Sequence, residues 1–121
     1  MNKTIGERSQ SMNIEQQIME LIVNGGDARG KALEAVSAAA EGDFSKSEDL
    51  LNECKAALNK AHEVQTELIQ AELNGDDRVH VSLLMVHAQD HLMNAITVKD
   101  LAERIITLSK AVYRSTIEEE K

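Results

Sequence analysis

A chain of 121 residues is one domain by the usual size prior and is long enough to bury a real core. Its net charge of −8 and aromatic content of 2 % argue against a partner made of phosphate backbone or stacked bases, which leaves proteins and small molecules. Proline and tryptophan are absent, so nothing forbids long helices, and the core must come from Leu, Ile, Val, Ala and Met.

Residues 1–12 are polar and aperiodic and read as a disordered N-terminal tail. They hold no apolar h-region and so do not form a secretory signal. Apolar or small residues then recur at Ile14, Ile18, Leu21, Gly25, Ala28, Ala32, Val36 and Ala39, in steps of 4, 3, 4, 3, 4, 4 and 3. Each glycine of Asn24-Gly25-Gly26 costs a helix about 1 kcal/mol against alanine. The phase nevertheless survives them, and periodicity predicts one helix over about 13–41. Such glycines allow another helix to approach closely.

Gly42 is a stop signal. Ser45-Lys46-Ser47-Glu48 has capping-box spacing, with Asp43 as a rival cap for a second helix over about 44–74. That helix carries Leu51, Cys54, Leu58, Ala61 and Leu68 on one side, with Leu50, Ala57, Val64 and Ala71 beside them. Asn74-Gly75 ends it, and Asp76 and Asp77 are suitable caps for a third helix over about 79–116. The alternation Val79-His80-Val81-Ser82-Leu83 resembles a strand, but no second strand signal exists to pair with it. It reads as the lead-in to the third helix, with 118–121 as a frayed end.

The expected fold is all-α: an antiparallel three-helix bundle, one domain over 13–117. Each helix is roughly 45 Å long at 1.5 Å per residue. Apolar residues on more than one side predict that some surface is buried between subunits. Residues 37–58 have no second copy at 34-residue spacing, which argues against a solenoid. Cys54 is the sole cysteine and reads as a small core residue. With no apolar run near the roughly 20 residues of a membrane span, a soluble, reducing, cytoplasmic setting fits.

Gly25-Gly26-Asp27-Ala28-Arg29-Gly30-Lys31 matches the first part of a phosphate-binding loop. Ala32 stands where Ser or Thr should hold magnesium, and a helix precedes it instead of a strand, so nucleotide binding is set aside.

The segment Leu83–Met93 is the place to look for chemistry. On a helix, His87, Asp90, His91 and Asn94 share a stripe roughly 100° wide. Leu84, Val98, Leu101, Ile105 and Leu108 continue it, so a polar cluster interrupts a core-like stripe. Unsatisfied polar groups in such a place cost free energy. Three readings stand. The histidines are satisfied core residues; or His87, Asp90 and His91 converge on a metal; or one histidine is a nucleophile. A free imidazole of pKa near 6.5 is roughly three quarters neutral at pH 7, and a neutral ring nitrogen attacks phosphorus well. His80 reads as a surface residue, and His62 as surface or interface.

Ser82-Leu83-Leu84-Met85-Val86-His87-Ala88-Gln89-Asp90-His91-Leu92-Met93 strongly resembles the IIA component of the lactose/cellobiose (diacetylchitobiose) family of the bacterial sugar phosphotransferase system. Asn24-Gly25-Gly26-Asp27-Ala28-Arg29, Glu41-Gly42-Asp43-Phe44 and Ala61-His62-x-x-Gln65-Thr66-x-Leu68-Ile69 resemble that family in the same order. The resemblance implies a homotrimer of three-helix protomers. It implies that His87 is phosphorylated at Nε2, with HPr as donor and a cysteine of the IIB component as acceptor. The sugar, a β-linked disaccharide such as cellobiose or lactose, would be phosphorylated during uptake through the membrane IIC component. It implies that Asp90 meets its symmetry mates around a shared ion, usually magnesium. Gln89, His91, His62 and Gln65 would have supporting roles. A different class of function is a helical interaction protein whose His/Asp cluster is a structural metal site without phosphotransfer.

Overall fold

The computed structural model describes residues 13–120, which form three α-helices: α1 (Ile14–Ala40), α2 (Phe44–Leu73) and α3 (Leu83–Glu120). No strand occurs among the described residues. The expected N-terminal tail and Lys121 lie outside them.

Periodicity outweighs propensity in α1. The helix runs unbroken through Gly25 and Gly26, and Asn13 caps it by accepting from the Glu15 N–H at 2.8 Å. Its end is set by a backbone motif. Gly42 takes φ +82°, its N–H bonds the Ala39 carbonyl at 3.0 Å, and the Asp43 N–H bonds the Ala38 carbonyl at 2.9 Å. This satisfies the last carbonyls of α1 and needs a residue at ease at positive φ. Asp43 also starts α2, accepting from the Lys46 N–H at 3.1 Å. The rival cap thus wins over the Ser45 capping box. Ser47 turns inward and donates to the Ala35 carbonyl at 2.8 Å.

Two expected boundaries are wrong. The third helix begins at Leu83 and not near 79, because Ser82 is its cap: the Ser82 Oγ accepts from the Met85 N–H at 3.1 Å. Asp76 is not a cap for α3. Its carboxylate folds back on Arg78, accepting from the backbone N–H at 2.9 Å and from Nη2 at 2.8 Å. Those bonds hold the Asp76 carboxyl down to about 2. At the other end α3 continues to Glu120, so residues 118–120 are helical and exposed instead of frayed.

Buried residues line the bundle interior. α1 supplies Ile18, Leu21, Ala28, Ala32, Ala35 and Ala39; α2 supplies Cys54, Ala57, Leu58, Ala61, Val64 and Leu68; α3 supplies Met85, Ala88, Leu92, Ala95, Ala102 and Ile106. α1 packs extensively on both other helices, whereas α2 and α3 touch each other only sparsely. The two aromatic residues meet edge to face, Phe44 and Tyr113 with ring centroids 5.5 Å apart, and tie the α1–α2 turn to α3. Among the described residues, no buried side-chain polar atom lacks a partner.

Leu21 is fully buried, so Leu21→Ala should lower unfolding stability by about 2–5 kcal/mol in urea titration. A loss under about 1 kcal/mol would place the core elsewhere. Burial pushes the Cys54 thiol up from its ordinary range. The native chain should therefore resist a thiol reagent at pH 8 and react promptly in denaturant; fast native labelling would contradict the packing around α2.

Candidate functional site

The α3 helix carries two apolar stripes, one residue out of phase. Met85, Ala88, Leu92, Ala95, Ala102 and Ile106 face the bundle. The stripe through Leu84, His87, His91, Asn94, Val98, Leu101, Ile105, Leu108 and Val112 repeats in alternating steps of 3 and 4. It lies about 100° round the helix from the first. In the single chain this second stripe is uncovered: Leu101 is 55 % exposed, Leu108 63 % and Val112 58 %. The core-like stripe read from the sequence is thus an outer face, and the reading of His87 and His91 as buried core histidines is corrected.

His87 and Asp90 are exposed, and His91 is half-buried. The two imidazoles stand one turn apart with their rings edge to face at 4.5 Å, and Nε2 lies 3.1 Å from Nε2. That distance is a hydrogen bond, so one ring donates and the other accepts. If His91 donates, the one lone pair of the His87 Nε2 accepts that hydrogen bond and the His87 proton resides on Nδ1, so any new bond at this nitrogen has to displace the His91 N–H. A ring nitrogen on this open face is within reach of a protein-sized partner.

The two amides also meet. The Gln65 Nε2 on α2 donates to the Gln89 Oε1 on α3 at 2.7 Å, joining the two helices on the side of α3 opposite the imidazole pair. Gln89 borders a shallow groove with Leu68, Ile69, Val79, Val81 and Met85. Sequence reading missed this groove, because it assigned Val79–Ser82 to a helix. His62 is exposed on α2 and lines the α2–α3 cleft with Lys55, Asn59 and Lys99. No hydrogen bond among the described residues joins it to the pair. His80 is exposed, as expected.

A metal was expected at Asp90. Among the described residues of one chain, no three His, Cys, Asp or Glu side chains gather as a ligand set. A single exposed carboxylate does not make a closed site, so a metal here needs ligands from other chains.

An open-faced helical bundle with an exposed imidazole pair presents that pair to protein-sized partners. The family described as the PTS system lactose/cellobiose-specific IIA subunit matches residues 16–110. The lichenan-specific phosphotransferase enzyme IIA component of Bacillus subtilis is 48 % identical over 99 residues, covering 82 % of this chain and 89 % of that protein. The crystal structure of the PTS cellobiose-specific enzyme IIA from Bacillus anthracis superposes with a TM-score of 0.81 at 43 % identity, covering 88 % of this chain and 97 % of that one. A chain from the solution structures of the IIA(chitobiose)–HPr complex of Escherichia coli superposes at 0.73 with 36 % identity, covering 85 % and 99 %. The chain belongs to the lactose/cellobiose-specific IIA family and is a phosphotransferase component.

Proposed function

We propose that this protein is a phosphocarrier that accepts a phosphoryl group from phospho-HPr on His87 and passes it to a cysteine of a IIB component. The observation that carries this reading is the His87 Nε2, exposed on α3 and oriented by the His91 Nε2 at 3.1 Å. A relative of this fold in complex with HPr supports the choice of donor. Relatives are named as lichenan-, cellobiose-, diacetylchitobiose-, lactose- and, in one case, galactose-specific components, and most of these names support a β-linked disaccharide as the eventual acceptor.

The exchange balances simply. The His87 Nε2 lone pair forms an N–P bond as the donor's bond to phosphorus breaks. Onward transfer forms an S–P bond at the IIB thiolate as the N–P bond breaks, and the His87 lone pair returns. The His91 N–H loses its acceptor when the N–P bond forms, and a phosphoryl oxygen on that nitrogen is its natural replacement. Catalysis then rests on positioning and charge stabilisation. Gln89, fixed by Gln65, and His62 on the α2–α3 cleft are proposed as further supporting residues. The setting is the cytoplasm, beside the membrane-embedded transporter.

The uncovered stripe of α3 fits a homotrimer, in which like stripes from three chains bury one another. Asp90 lies on the edge of that stripe, and three copies of it near one axis would repel. We propose that a shared magnesium ion, held by the three Asp90 carboxylates, offsets that repulsion.

Incubation with phosphoenolpyruvate, enzyme I and HPr should add one acid-labile phosphoryl group per chain. His87→Ala should fold and accept none. His91→Ala should still accept, but more slowly. Peptide mapping at alkaline pH should place the group on His87; finding it on His91, His62 or His80 would move the acceptor. No mass shift beside a competent control IIA would favour the structural metal reading instead.

Sedimentation tests the assembly. The wild type should be a trimer with magnesium and should weaken when a chelator removes the ion. Asp90→Leu should be a trimer with or without chelator, because apolar packing replaces a like-charge cluster. A monomeric wild type in magnesium would overturn this arrangement.

A further inference from the structure

Three glycines lie inside α1, and they are not equivalent. A Cβ placed on Gly26 or Gly30 meets nothing within 4 Å. A Cβ on Gly25 lies 3.3 Å from the carbonyl carbon and oxygen of His91 and 3.4 Å from the Leu92 nitrogen. These neighbours are backbone atoms and cannot rotate aside. Gly25 is buried, so α1 and α3 approach there backbone to backbone. The contact falls on the peptide that follows His91, whose ring holds the His87 Nε2 at 3.1 Å.

We infer that Gly25 is a positioning residue for phosphoryl acceptance: it lets α1 seat the His91 peptide at the height that brings the two ring nitrogens into hydrogen-bond contact. The inference rests on His87 being the acceptor. A methyl group at 25 requires the neighbour to give by a few tenths of an ångström. The give is directed, since α1 stays anchored by Leu21 on one side of the contact and Ala28 on the other, both fully buried. The His91 turn moves away from α1, toward the open face of α3. The Nε2–Nε2 contact then lengthens or loses alignment, and hydrogen bonds weaken steeply with both. With the His91 ring displaced, its N–H no longer stands where it would yield the His87 Nε2 and take up a phosphoryl oxygen bound there, and transfer slows even when the donor binds normally.

The test compares Gly25→Ala with Gly26→Ala, which makes the same change in helix propensity without the contact. Phosphorylation by phospho-HPr is followed at several donor concentrations on the full chain. Gly26→Ala should match the unmodified protein. Gly25→Ala should fold cooperatively and show a turnover rate reduced about tenfold or more, with the KM for phospho-HPr changed by less than about threefold. Imidazole nitrogen NMR supplies a second readout: the ring shifts of His87 and His91 should change in Gly25→Ala and not in Gly26→Ala. Equal rates and ring shifts in the two variants would overturn the inference while leaving His87 as acceptor. A Gly25→Ala chain with no cooperative transition would also overturn it, because the glycine would then serve the bundle as a whole. An unmodified protein that takes no phosphate, or takes it elsewhere than His87, would overturn both readings.

Discussion

Close approach of α1 to both other helices governs the molecule. Its inner face is Leu21, Gly25, Ala28, Ala32, Ala35 and Ala39, nearly all of them small. Short side chains bring helix axes together and multiply dispersion contacts between backbones that longer residues would hold apart. Because α1 takes both partners, α2 and α3 need little from each other. A cleft opens between them, and a broad part of α3 stays uncovered. The chemistry-bearing residues stand on that uncovered part, so the packing of alanines on one helix decides what another helix can show to the outside.

The outer face of α3 combines requirements that a pocket enzyme separates. A group traded in turn with two protein partners must be reachable by a protein surface, and in the reading proposed above the accepting ring is therefore exposed and takes its orientation from a neighbour on the same face, His91, one helical turn away. The Gln65–Gln89 bond fixes α2 to the other side of α3. The polar stretch from His87 to Asn94 interrupts a Leu- and Val-rich stripe only near its N-terminal end. The remaining four turns are apolar and available for association.

Much of this was legible in the sequence, and the failures are instructive. The phase that runs from Ile14 to Ala39 predicts α1 correctly through two glycines, because tertiary packing outweighs a local loss of about 1 kcal/mol each. The start of α3 was not legible. Val79 to Ser82 alternate in polarity and precede a good helix, and nothing local reveals that Asp76 is engaged by Arg78. The stripe assignment failed for a subtler reason. Both stripes of α3 have the same 3–4 repeat, and the outer one is richer in leucine. The inner one uses Ala88, Ala95 and Ala102, which look weaker by hydrophobicity but suit close contact with α1. Period tells that a face is buried, not by which chain. The residue run His87–Met93 identifies the chemistry by resemblance, while the proximity of Gln65 to Gln89 needs the three-dimensional path of α2.

The two connections differ in length, three residues between α1 and α2 against nine between α2 and α3. Loop closure is entropically easier for the shorter one. The α1–α2 hairpin is therefore the natural first product of folding, with its Gly42 turn already specifying direction. The α3 helix docks afterwards on a surface that the hairpin has prepared. The asymmetry is small beside the packing, since α1 engages α3 about as extensively as it engages α2, and in the proposed trimer the outer stripe of α3 is covered as well; the histidine-bearing helix is then held from both sides.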